Sequence, residues 1–217
     1  MRSRTVLWFL VVGVSISRAR APIHTAVLEM LVRTNAQAAA QASTRPTYEV
    51  RRVINTLDVD GKLNDPAWAH AAVITLVNTS DGSPSPIRTD CKLLYDAKFI
   101  YFGFRNQDKN IWATMTRRDA HLWEEEVNEV FVQADPQQNS YIELEINPLG
   151  AIFDAFLLDV RKPLHYESWN SEKLKWAVHV DGTVDGQPGD REWTSEIALP
   201  FEDVVPAPHI PPQPGDR

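Results

Sequence analysis

Across residues 48–217 the apolar residues come in short runs, broken by turn formers about every eight to twelve positions, and no stretch of 12 or more keeps a helical period. Helices long enough to cover a core are thereby excluded, and short antiparallel strands joined by tight turns remain. The runs 91–95 and 99–104 flank Asp96-Ala97-Lys98 as a hairpin, and 128–133 and 141–146 flank a second turn around Asp135-Pro136. Asn147-Pro148-Leu149-Gly150 turns the chain into 151–160, and 174–180 pairs with 192–199 around Gly182 to Gly189. The run 48–53 is another strand, and Asp65-Pro66 starts a short helical turn with Asp65 as N-cap. The expected fold is all-β: a two-sheet antiparallel β-sandwich of immunoglobulin or jelly-roll type, with short helical turns, over residues 48–217.

Ahead of it lie two segments of different texture. Residues 1–21 have a basic start, an apolar run at 5–16 and the small-x-small triplet Ala19-Arg20-Ala21. The run is too short to span a bilayer, which takes roughly 20 residues, so the segment reads as a signal peptide cleaved near Ala21. Secretion or a periplasmic location follows, with no membrane insertion. Residues 22–47, rich in Ala, Gln, Ser and Thr, read as a linker.

Charge narrows the partners. The formal net charge is −7, and four of the 22 basic residues sit in the leader. The rest of the chain is more acidic still, which excludes nucleic acid and disfavours anionic membranes. A single cysteine, Cys91, rules out an internal disulfide and a Cys-rich zinc site, and in its apolar strand it reads as a buried hydrophobe.

Nucleotide loops, a GxSxG elbow and zinc spacings are all missing from the sequence. Carboxylates are not. Glu124, Glu125, Glu126 and Glu129 crowd one segment, and alternation along 141–147 puts Tyr141, Glu143, Glu145 and Asn147 on one strand face. Such a face is either a groove lining or, as the alternative, the acid pair of a glycoside hydrolase through Glu143/Glu145 or Glu126/Glu129. His179 reads as an ordinary strand residue.

Tryptophan is the more informative residue. Trp68 and Trp193 sit in packing contexts, whereas Trp123 is flanked on both sides by charge. An indole beside carboxylates offers a plate for the C–H face of a sugar and acceptors for its hydroxyls. The competing reading has Trp123 capping an edge of the sandwich.

The run from Val59 through Asp65-Pro66-Ala67-Trp68 resembles the opening signature of family 9-like carbohydrate-binding modules. The hairpin from Leu93 to Phe102, the segment from Leu122 to Phe131 and the run from Glu196 to Phe201 match later motifs of that family, in order. The resemblance implies a two-sheet sandwich, often with structural calcium, that binds poly- or oligosaccharide without cleaving it alongside polysaccharide-degrading enzymes. Asp96, Asp108 and Asp119 are acids available for calcium. Carried over by position, Trp123 matches one aromatic wall of the sugar site, Glu129 an acid and Asn147 an amide. Glu145 stands where studied members have Arg, and Trp169 is the substitute for a second wall. The resemblance further implies that strands carrying that second wall follow the Pro-rich end of the chain. A third reading, a haem-binding sandwich, finds no evident pair of axial ligands.

Overall fold

The computed structural model describes residues 4–6, 47–135, 137–159, 164–166, 169–205, 207–213 and 216. The cleavage point near Ala21 and nearly all of the leader and linker lie outside the described residues.

The strands are β1 (Arg4–Val6), β2 (Glu49–Arg52), β3 (Ile74–Thr75), β4 (Arg88–Tyr95), β5 (Phe99–Gln107), β6 (Asn128–Val132), β7 (Tyr141–Ile146), β8 (Ile152–Asp159), β9 (Leu164–Tyr166), β10 (Lys175–Asp181) and β11 (Glu192–Pro200). They form two sheets. The larger runs β1-β2-β4-β5-β11-β10 with β3 also on β4, and the smaller runs β6-β7-β8-β9. Three short 3-10 turns, Pro66–His70, Leu122–Glu124 and Phe201–Asp203, complete the regular structure among the described residues.

The sandwich expected from sequence is present, with one departure. β2 pairs with β4 in parallel, Arg51 against Leu94, whereas the expectation was antiparallel throughout. The long excursion 53–87 between the two strands supplies the crossover that parallel pairing requires. β3 and β9 are additions; at two and three residues they are too short to show periodicity.

Between the sheets lies the main core, with Leu93, Tyr95, Phe102, Phe104 and Ile197 facing Val130, Ile142, Leu144 and Ile146. The larger sheet is covered on its other face too, where Trp68, Leu57 and Ala71 pack on Leu94, Tyr101 and Ala198. Double coverage explains why β4 and β5 read as nearly continuous apolar runs. Gly103 makes room for it, because a Cβ there would stand 3.0 Å from the Trp68 ring. Glu196 fastens the covering loop by accepting from Trp68 Nε1 at 2.7 Å, Gly61 N at 2.7 Å and Asp60 N at 2.9 Å. Asp65 caps the 3-10 turn through Ala67 N, as its position before Pro66 predicts.

A buried amide pair joins the two sheets. Asn106 of β5 and Asn128 of β6 exchange reciprocal hydrogen bonds of 3.0 Å, extended by Thr89 and Ser195. The pair fixes the start of β6, and hence the phase of every side chain that β6 presents on its outer face.

Candidate functional site

Alternation along β6 and β7 sends Val130, Val132, Ile142, Leu144 and Ile146 into the core and turns Glu129, Phe131, Tyr141, Glu143 and Glu145 to the opposite face. Register then assembles the site. Glu129 stands directly across from Glu145, and Phe131 across from Glu143, while β8 places Phe153 beside Glu145 and Ala155 beside Glu143. Cross-strand neighbours have Cβ atoms about 4.5–5.5 Å apart, so three carboxylates share one small area. Phe131 and Tyr141 close one side as a tilted ring pair with centroids 5.7 Å apart.

Burial dominates the electrostatics. Desolvation pushes Glu129, Glu143 and Glu145 above the ordinary glutamate range, and their mutual repulsion pushes Glu129 and Glu145 further. Glu143 and Glu145 also influence each other directly, and the backbone N–H of Trp123 favours the charged form of Glu145. Glu145 is only 1% exposed, and its Oε2 has no hydrogen-bond partner among the described residues.

Trp123 enters from the segment between β5 and β6, which lies over the outer face of the smaller sheet. That segment is held at several points. Glu125 turns inward and accepts from Thr114 N at 2.9 Å and Met115 N at 3.0 Å, and Asn147 Nδ2 donates to Met115 O at 2.8 Å. Arg118 pairs with buried Asp154, and Asp119 N donates to Ile152 O at 3.0 Å. Leu122 and Val127 anchor it on Phe153, Ala155 and Leu157. Trp123 is half-buried, meets Phe153 edge-on at 5.5 Å and 85°, and carries the ring of His121 stacked at 4.5 Å and 19°. His121 in turn lies 3.7 Å from Glu124. The result is an aromatic plate at the edge of an acidic floor.

Not every expected residue joins it. Asn147, expected on the face of Glu143 and Glu145, is fully buried, its amide shared between Met115 O of the covering segment and the β7–β8 turn. Its Oδ1 accepts from Leu149 N and Ala151 N at 3.1 and 2.9 Å. The strand ends at Ile146, and burial under the covering segment leaves the Asn147 amide no free polar group for a ligand. Trp169, expected as a second wall, packs on Phe156 at 6.2 Å against the main core, on the opposite side of β8 from the Phe153 that supports Trp123. Glu126 also belongs elsewhere. It is buried near Asp108 and Asp190, and desolvation followed by repulsion from Asp108 raises its pKa to about 8. Glu126 and Glu129 therefore have different acidic neighbours and do not form one pair.

Two of the acids offered for calcium, Asp96 and Asp108, serve turns of the fold, while the buried Asp119 Oδ1 has no hydrogen-bond partner among the described residues. Asp96 accepts from Lys98 N, Phe99 N and the Tyr101 hydroxyl; Asp108 accepts from Asn110 N; Asp119 neighbours Arg118. Among the described residues no three acidic, His or Cys side chains are grouped to hold a metal ion.

A cleft of about 390 Å³ lined by Leu57, Asp58, Val59, Leu174, Lys175 and Trp176 lies apart from this face. Its Trp176 is tied to Gly150 O at 3.0 Å and lies 5.6 Å under the Arg118 guanidinium. Beyond the backbone it offers only Asp58 and Lys175 as charged groups, so the acidic face with its aromatic plate is the better candidate. Phe153, Phe131 and His121 were not singled out from sequence. Phe153 and Phe131 were recoverable from the alternation of their own strands, but the His121 stack depends on the turn Leu122–Glu124.

Residues 59–147 match the family model described as "Carbohydrate family 9 binding domain-like". Comparison with curated proteins gives no match. Among solved structures the chain is similar to a protein from Bacteroides uniformis, provisionally assigned to carbohydrate binding, at 15% identity and a TM-score of 0.54, over 71% of this chain and 72% of that one. It is also similar to a family 9 carbohydrate-binding module from Caldicellulosiruptor kristjanssonii solved with glucose, at 10% identity and a TM-score of 0.48, over 69% of each chain. The first likeness supports the sandwich fold.

Proposed function

We propose, starting from a carbohydrate family 9 binding domain-like segment at residues 59–147, that this domain binds carbohydrate without cleaving it. The observation that carries the reading is Trp123, held against Phe153 at the edge of the Glu129/Glu143/Glu145 floor. Rings at the rim stack on the C–H face of a sugar, while carboxyl and carboxylate oxygens meet its hydroxyls. The ligand surface is therefore Trp123, Glu129 and Glu143, with Glu145 buried beneath them and Phe131 and Tyr141 at the far side. Asn147 acts behind it by shaping the turn, and Trp169 takes no part. In this reading the chain is exported and works beside an enzyme that degrades polysaccharide.

Affinity electrophoresis through soluble polysaccharides tests it. Wild type is retarded by at least one glycan, and Trp123→Ala loses that retardation by roughly 10- to 150-fold in affinity, the worth of one large aromatic contact. Equal retardation of both proteins on every glycan would remove Trp123 from the site. A glycosidase activity in the purified protein that falls about a thousandfold in Glu143→Gln would replace binding by catalysis.

A further inference from the structure

The three carboxylates of the floor have no basic counterpart among the described residues. Among the described residues no Lys or Arg forms an ion pair with Glu129, Glu143 or Glu145, although Asp60, Asp90, Asp154, Asp181, Glu192 and Glu202 each have one. The groups that face the floor come from every element around it. β6 contributes Glu129 and Phe131, β7 contributes Tyr141, Glu143 and Glu145, and β8 contributes Phe153, Ala155 and Leu157. The covering segment contributes Trp123, with the His121–Glu124 pair at its rim. None of these described side chains is a fixed cation.

Buried acids with no cation beside them are favoured in their neutral form, and a cation from outside would let them ionise. Glu145 makes the vacancy specific: it is buried, it lies between Glu129 and Glu143, and its Oε2 lacks a hydrogen-bond donor among the described residues. A neutral hydroxyl would give that oxygen one ordinary hydrogen bond. A protonated amine would give up to three charge-assisted ones and offset the repulsion among the acids. A divalent metal fits less well, because the three neighbouring acids are not arranged to hold a metal ion. The adjoining Trp123 plate suits a sugar ring rather than a bare amine.

Resting on the carbohydrate reading above, we infer that the preferred ligand is an amino sugar carrying a free, protonated amine, its ammonium seated among Glu129, Glu143 and Glu145 and its ring against Trp123. Binding of the ammonium makes the carboxyls stronger acids. Protons that the buried floor retains near neutral pH are then released on binding, in line with the raised pKa values of all three groups.

Titration calorimetry of the full chain at neutral pH tests this with three oligosaccharides of equal length: a glucosamine oligomer, its fully N-acetylated counterpart and a cello-oligosaccharide. The glucosamine oligomer is expected to bind at least roughly 10-fold more tightly than the other two, as one charge-assisted hydrogen bond would give. The same titration in two buffers of different ionisation heat should register net proton release. Glu129→Gln and Glu143→Gln should shrink the preference, Trp123→Ala should weaken all three sugars, and Asp81→Asn on a remote loop should change nothing. Equal affinity for amine and neutral sugars overturns the inference and leaves the carbohydrate reading standing. Failure of the folded protein to bind any of the sugars overturns both. An unchanged glucosamine affinity in Trp123→Ala would mean adsorption of a polycation to an acidic surface, and stoichiometric displacement by calcium would mean a metal site; either overturns it. If a Glu variant does not fold, the proton release measured on wild type still decides, and its absence counts against the inference.

Discussion

Glu129 of β6 faces Glu145 of β7 directly across the smaller sheet, a pairing of like charges where sheets ordinarily place opposite ones. The contact survives because burial keeps protons on the pair. That arrangement governs how the domain responds to pH. Glu129, Glu143 and Glu145 have folded pKa values above the ordinary range, and Glu126 is raised to about 8.

Between the ordinary glutamate range and about pH 8 the folded chain therefore binds more protons than the unfolded chain, so stability falls as pH rises through that window. Glu125 and Asp96 act in the opposite sense. Hydrogen bonds hold their pKa values down, and the stability they add is lost on acidification below their ordinary range. The melting temperature is expected to peak near about pH 5–6 and to decline toward pH 8. Glu145→Gln should flatten the alkaline side and raise the melting temperature at pH 8 more than at pH 5.5. A wild-type melting temperature that rises steadily from pH 6 to pH 8 would contradict this.

Asn128→Ala removes one half of the reciprocal amide pair and strips Ser195 of its acceptor. Leaving Asn106 partly unsatisfied in the core should cost about 1–3 kcal/mol. Replacing both Asn106 and Asn128 by Leu should cost less than the sum of the single changes. Chemical denaturation of the three variants measures the coupling; strictly additive effects would mean that the pair does not act as a unit.

Glu196→Gln keeps the shape of the side chain yet should destabilise by about 1–3 kcal/mol. Three donors, from Trp68, Gly61 and Asp60, converge on the two carboxylate oxygens. An amide nitrogen in either position meets a donor instead of an acceptor. Thermal denaturation near neutral pH checks the size of the effect, and a variant as stable as wild type would show that the loop is held by packing alone.

Cys91 lies in the main core with no exposed surface, and burial pushes its thiol well above the usual range. Thiol reagents should leave it unmodified in the native protein and label it once denaturant is added. Rapid labelling under native conditions would place β4 in a locally open state.

The local sequence was sufficient wherever the determining interaction is itself local. Strict alternation at Tyr141–Ile146 sorted Glu143 and Glu145 onto one face; Asp65-Pro66 specified a capped turn; and Asp96 closed its hairpin through Lys98 and Phe99. Trp68 and Trp193 were legible as core residues in the same way. What required the tertiary structure was every relation between distant segments. That Glu129 meets Glu145 depends on the register of β6 against β7, that Asn147 is covered depends on Met115 of the segment packed over it, and that Trp169 lies on the far side of β8 from Trp123 depends on the packing of a loop. The parallel pairing of β2 with β4 has the same origin, since a long excursion decides from which end a strand re-enters the sheet. Side-chain alternation carries information over a few residues, whereas register and sheet order are set by buried partners far apart in the chain, such as Asn106 with Asn128 and Trp68 with Glu196.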